Sequence, residues 1–369
     1  MRKILKISAL IMLSLLWACN PDDDTDEPSD SYRLDEYQSN WQKRKIADRP
    51  NWDVSGALPG QFTPVQSSFM YESNNKIVMY SNRYLYSPNS FIYTSTNYGL
   101  AWYQNSSING TFINTCQIGE DTVYALRSYL GGTEFGKSVN AGQNWTWLAI
   151  PSDPYLISFA NANKGISLCT DGIYSTLNGG SSWTKISSDT LSYAYALNDT
   201  DFIGITGNEI HKSSDGGSSW TLKYTSGFEL KTIYQSNEGV LYVGGYSGSV
   251  IRSFTNGDIW TQIFQLGQSY TGVQLAQLTD FCMVDSLNGF ATVTFEYLTD
   301  MGSPYDNTIG LILRTPDAGE TWTINYYSEI IQYNGIISVS GPIVLALGKQ
   351  AEDNIWSGIY LTLTQTLGN

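Results

Sequence analysis

Residues 213–220 read SSDGGSSW. A hydroxyl residue (Ser213) is followed two places on by an acid (Asp215), two further by a glycine (Gly217) and three further by a tryptophan (Trp220). Thr315, Asp317, Gly319 and Trp322 repeat the pattern. Three copies carry Asn for Asp: Ser95, Asn97, Gly99 and Trp102; Ser138, Asn140, Gly142 and Trp145; Thr176, Asn178, Gly180 and Trp183. A weaker copy holds Ser253, Thr255, Gly257 and Trp260. The tryptophans are 43, 38, 37, 40 and 62 residues apart, a period that marks a repeat protein. Around the cleanest copy, short runs at Tyr193–Ala196, Asp201–Thr206, Glu209–Ser213 and Trp220–Tyr224 are separated by turn residues. Four strands per unit of this size predict a propeller blade. The hydroxyl and the carboxylate or amide oxygen can accept backbone N–H groups and close the third turn of each blade. Gly permits positive φ, and Trp fills the space between neighbouring sheets.

The repeat resembles the Asp-box, or BNR repeat, over roughly residues 91–326. Families that carry it include sialidases, xyloglucan-type glucanases, sortilin-like receptors and photosystem assembly factors. The resemblance implies a propeller in which the box is a structural turn away from the functional face. Six boxes set a minimum of six blades. The C-terminal GIYLTLTQ matches GIYSTLNG at 172–179 but stops before its Trp, and Asn51-Trp52-Asp53-Val54 matches a fourth-strand opening. Joining the ends predicts an all-β, seven-bladed propeller closed by residues 51–55 beside Ile359–Leu363. The alternative is a six-bladed ring with an extra sheet.

Arg2, Lys3 and Lys6 precede an apolar run, Ile7–Trp17, that is too short for a permanent membrane span. Leu16-Trp17-Ala18-Cys19 resembles a bacterial lipobox, which implies cleavage before an acylated Cys19. The expected organisation is a signal peptide at 1–18, an acidic tether and lead-in at 19–50, and the propeller at 51–369. Residues 20–36 carry eight acids, one base and two prolines, and such a stretch cannot bury enough surface to fold. The acidic run resembles surface-export signals of Bacteroidetes lipoproteins, which implies an outer-membrane protein facing outward rather than into the periplasm. Without the signal peptide, 17 basic residues stand against 34 acidic ones, a balance that argues against a nucleic-acid partner. Cys116, Cys169 and Cys282 offer no disulfide framework or metal spacing, and with a single His no metal or other cofactor is expected. Cys116 and Cys282 read as small buried strand residues.

Function is sought where the copies differ. The turns between second and third strands are minimal at Thr170-Asp171, Gly207-Asn208 and Tyr246–Gly248. They look long at 81–90, 128–134, 296–308 and 348–358, which predicts a wall on one half of the face opposite the boxes. Its candidate ligand residues are Tyr84, Tyr86, Tyr129, Glu134, Tyr305, Asp306, Asp353 and Trp356. Tyrosines on loops suit sugar rings or a protein partner equally, so a glycan and a membrane-associated protein are both expected ligands. The innermost strands hold no arginine to grip a carboxylate, which argues against a sialidase. A glycoside hydrolase using two wall carboxylates is the enzymatic alternative. His211 stands beside a box with no nucleophile partner evident, and no phosphate-binding glycine loop is present.

Overall fold

The computed structural model describes residues 40–45, 68–73, 76–83, 89–97, 102–148, 150, 152–266, 273–297, 308–328, 331–339, 343–352 and 355–365. Every element among them is a β-strand, and the strands form seven antiparallel four-stranded sheets. Six of these are self-contained blades of four consecutive strands, one per box. Blade 4 is typical: Tyr193–Ala196, Phe202–Thr206, Glu209–Ser213 and Thr221–Thr225 run from the ring axis outward.

The remaining sheet is a composite. Its strands are Ile331–Val339, Ile343–Glu352, Ile355–Gln365 and, outermost, Asn40–Lys45. Asn40 pairs with Gln365 and Lys45 with Tyr360. This overturns the expected seven equivalent blades closed by residues 51–55. The protein has six self-contained blades, and one sheet assembled from both chain ends lies between blades 6 and 1. Residues 51–55 lie outside the described residues, and the edge assigned to them is taken by 40–45. Trp41 opens that strand as Trp52 was expected to. Lys43, Arg44 and Lys45 suit an outer edge, where charge discourages pairing with another chain.

The core lies between sheets. Ile77 and Met79 of blade 1 pack on Val339, Leu345 and Leu347 of the composite sheet. Cys282, Phe290 and Ile312 of blade 6 pack on its other face, against Tyr333, Ile336 and Val344. Side chains on one inner strand also accept backbone N–H groups from the next. Asn114 accepts from Ile157 (3.0 Å), Ser158 from Ala196 (2.8 Å), the Tyr234 hydroxyl from Met283 (3.0 Å) and Asp280 from Ile336 (3.0 Å). These bonds satisfy donors that no blade could satisfy alone.

Candidate functional site

The boxes are structural turns, and the hydrogen bonds show how. Ser213 Oγ donates to Asp215 Oδ1 (2.8 Å) and accepts from the N–H of Gly217 (2.9 Å). Asp215 Oδ1 accepts the N–H groups of Ser218 and Ser219, and Trp220 Nε1 donates to the Gly217 carbonyl (3.1 Å). Asn140 keeps part of this set: it accepts from Asn144 N (2.9 Å), and Trp145 Nε1 donates to the Gly142 carbonyl (2.8 Å). Thr176 with Asn178, Thr315 with Asp317, and Ser95 with Asn97 make the same hydroxyl contact. Trp260 repeats the tryptophan bond (2.9 Å), whereas Nε1 of Trp183 and of Trp322 has no partner among the described residues. Trp102 packs between blade 1 and the composite sheet. Hydrogen bonds from Ser219 and its neighbours hold the Asp215 carboxyl down at about 2.

Among the described residues, each box glycine docks on the preceding blade. A Cβ on Gly180 would lie 2.1 Å from Phe135 of blade 2, and one on Gly257 would lie 2.3 Å from Ile203 of blade 4. The basic residue just before the hydroxyl clasps the following box. Lys212 pairs with Asp258 (2.8 Å), while Arg252 donates to the Ala318 carbonyl (2.5 Å) and pairs with Glu320. The box face is thus engaged in holding the ring together.

The opposite face is uneven, through strand length more than loop length. The second strands of blades 3, 4 and 5 have five residues each. Those of blades 1 and 2 have eight, blade 6 has nine and the composite sheet ten. These four sheets are neighbours, so half of the face stands higher than the other. Two of the expected long loops are in fact strands. In blade 2 the hairpin runs to Tyr129 and resumes at Gly132 around Leu130-Gly131, whose φ angles of 49° and 83° form a tight turn. In the composite sheet pairing continues to Glu352 and Ile355. Residues 123–127 are all buried, so the ladder of 122–129 extends further than the turn residues suggested.

On blade 2 the Arg127 guanidinium lies 3.6 Å from the Trp147 ring centre and 4.6 Å from that of Tyr129. It pairs with Glu134 (2.6 Å) and donates to the Asn109 carbonyl of blade 1 (2.9 Å). Tyr129 and Glu134 therefore buttress Arg127 at the root of the wall. Trp356 lies in the composite sheet opposite Ala351. Tyr84, Tyr86, Tyr305, Asp306 and Asp353 lie outside the described residues, as does Cys19. Cys282 is buried as expected, whereas Cys116, expected to be buried, is only half-buried; Cys169 is also buried, and none of the three is in a disulfide. Among the described residues no His, Cys, Asp or Glu cluster could hold a metal ion.

One group of residues escaped the sequence reading. Tyr193, Tyr195, Tyr234 and Asp280 stand on innermost strands and are half-buried. Burial pushes the Asp280 carboxyl up to about 7, although the N–H groups of Ile336 and Phe281 pull the other way. A lone acid within the apolar run LTDFCMV was the available signal.

The fold is a β-propeller, similar to those of the YCF48 and WD40 type. It is similar to YCF48 bound to D1 peptide, with a TM-score of 0.59 and 12% identity over 90% of this chain and 97% of that chain. The WD40 repeats of RRP9 give 0.57 and 9% identity over 88% and 97%. A GH74 enzyme of Niastella koreensis gives 0.54 and 15% over 80% of this chain and 53% of that chain. At such identities the fold alone is shared. No protein-family model and no curated protein matches the chain.

Proposed function

We propose that the protein is a non-catalytic binding module, held at a membrane surface by an acylated Cys19, that takes a segment of a partner protein against the raised half of the face opposite the boxes. The observation that carries this is the step in strand length between four neighbouring sheets and the other three. A step gives an extended segment a wall to lie along, and tyrosines with Trp356 supply anchors of the kind that dominate interfaces. The YCF48 propeller, solved with a peptide, supports the choice of a protein partner over a glycan. The acidic run after Cys19 supports the outer surface as the location.

The test uses the full mature chain and a detergent extract of its own envelope. Wild type should retain a partner that Tyr305→Ala/Trp356→Ala loses while its melting temperature stays unchanged. The reading fails if the double variant keeps the partner, or if Leu177→Ser on the box face abolishes binding. Saturable binding on a glycan array with no protein captured would replace the partner by a polysaccharide. The paired-carboxylate hydrolase has less support, because Glu134 is already held by Arg127. It requires turnover that disappears in Asp306→Asn or Asp353→Asn.

A further inference from the structure

Among the described residues eight large apolar side chains stand exposed, and five of them lie on the box face. Val139, Leu177 and Phe254 occupy the place between the box hydroxyl and the oxygen-bearing residue two positions on, in blades 2, 3 and 5. Ile259 precedes the tryptophan of blade 5, and Leu287 lies in the turn after the first strand of blade 6. Leu177 is 76% exposed and Phe254 63%. The turn does not require them. The flanking side chains bond to each other, Ser138 to Asn140 and Thr176 to Asn178 (3.0 Å each), and leave the residue between them outside. Thr96, Ser214 and Pro316 hold the same place in other boxes.

Hydrogen bonds gather these tips on one surface. The N–H of Ala318 in the blade 6 box donates to the Leu287 carbonyl (2.7 Å), and Ala141 in the blade 2 box donates likewise to Asp121 (2.8 Å). From blade to blade, the Tyr124 hydroxyl donates to the Ala162 carbonyl (2.6 Å), Asn161 bonds to Asp199, Asn256 donates to Asp201 (3.0 Å) and Arg252 to the Ala318 carbonyl (2.5 Å). Turns of blades 2 to 6 are thereby joined into a continuous face. The chain enters the ring on the same side. Asn40 pairs with Gln365, the last residue of the third strand of the composite sheet, and third strands end at the box face. Read as the expected tether, residues 19–39 span on the order of 25 Å between Cys19 and that point.

We propose that the box face rests on the membrane, with Val139, Leu177, Phe254, Ile259 and Leu287 inserted into the interfacial region of the bilayer and the raised face turned away from it. The orientation rests on the proposed acylation of Cys19; the lipid contact does not. The apolar side chains stand singly at turn tips, separated by exposed polar residues such as Ser181, Ser182, Ser218 and Ser219. A protein partner needs a continuous dry patch, whereas separate tips can each enter a fluid interface. The charge of the face selects the lipid. Asp121, Asp199, Asp215 and Asp285 are exposed, while Lys212 and Arg252 are buried in the clasps between blades. Zwitterionic headgroups therefore suit it, and anionic ones repel it. The tether makes the contact intramolecular, so a weak intrinsic affinity is enough to hold the orientation.

The test has two arms. In the first, the mature Cys19→Ser chain, which carries no lipid, is sedimented with phosphatidylcholine vesicles over a range of lipid concentration. The bound fraction should rise to saturation, and replacing about a third of the lipid by phosphatidylglycerol should lower it. Leu177→Ser/Phe254→Ser should lose at least about tenfold in partitioning and keep its melting temperature, because both side chains are exposed. Leu130→Ser, on the opposite face, should bind as the parent does. No binding by folded parent, or equal binding by the double variant, overturns the proposal. A lipid-free dimer that the double variant loses, with no vesicle binding, would make the face an interface between copies and overturns it as well. In the second arm, the full acylated chain carries a fluorescent residue at 177 or at 130 in vesicles of acyl-brominated phosphatidylcholine. Quenching should occur at 177 and not at 130; quenching at 130 alone reverses the orientation and contradicts the proposal. Mass spectrometry of the same sample reads Cys19. An unacylated Cys19 removes the anchor and the orientation with it, while the first arm still decides the lipid contact.

Discussion

A propeller built on turns stands or falls on a few residues in each box. Trp260 and Trp322 are buried, whereas Trp220, in the copy closest to the ideal spacing, is half-buried. Trp260→Ala should therefore cost about 3–5 kcal/mol by chemical denaturation, and Trp220→Ala less. Equal midpoints for the two variants would mean that burial does not set the tryptophan's contribution. Gly180 has φ of +84° and no room for a Cβ against Phe135, while Gly207 has φ of +58° and open space. Gly180→Ala should cost about 2–4 kcal/mol, through strain and overpacking together, and Gly207→Ala only the backbone part. Asp215 behaves differently because it can titrate. Its carboxyl is held down at about 2, below its unfolded value, so its stabilisation is present above about pH 4 and is lost as pH falls through 2. Asp215→Asn, the residue three other boxes already use, should remain folded, lack that stabilisation at neutral pH and show no acid-side loss. An unaltered acid limb in urea titrations of the variant would show that Asp215 does not contribute it.

At the level of elements, the boxes made six blades legible, because hydroxyl, oxygen, Gly and Trp each have one physical task at fixed spacing. Ring closure was half legible. The rule that a tryptophan opens the fourth strand was correct, but Trp41 and Trp52 both satisfied it. The flanking NWQKRK looked like a charged lead-in although it is a protected outer strand. The raised half of the site face was legible as an asymmetry between repeats. Its substance, longer strands with tight tips, was not, since Leu130-Gly131 is a weak turn signal. Deleting residues 40–45 leaves the edge of Ile355–Gln365 unpaired and should lower the stability of the whole domain. Deleting residues 20–36 should leave it nearly unchanged. Melting curves of the two deletions check this, and equal loss or equal tolerance contradicts the assignment of the closing strand.

Across the whole molecule, the two faces divide the work. The box face is consumed by contacts between blades: box glycines press on the preceding blade, and Lys212 and Arg252 clasp the following box. The opposite face carries the step in strand length. The acidic balance of the chain gives a partner with basic residues an electrostatic preference, which high salt should weaken by slowing association. The central claim is that the partner docks on the raised face and not on the boxes. It is tested most directly by placing a photo-reactive residue at Tyr129 and, separately, at Leu177 in the full lipidated chain, and irradiating intact cells. The account predicts a discrete adduct from position 129 and none from position 177. An adduct from 177 with none from 129 would contradict it.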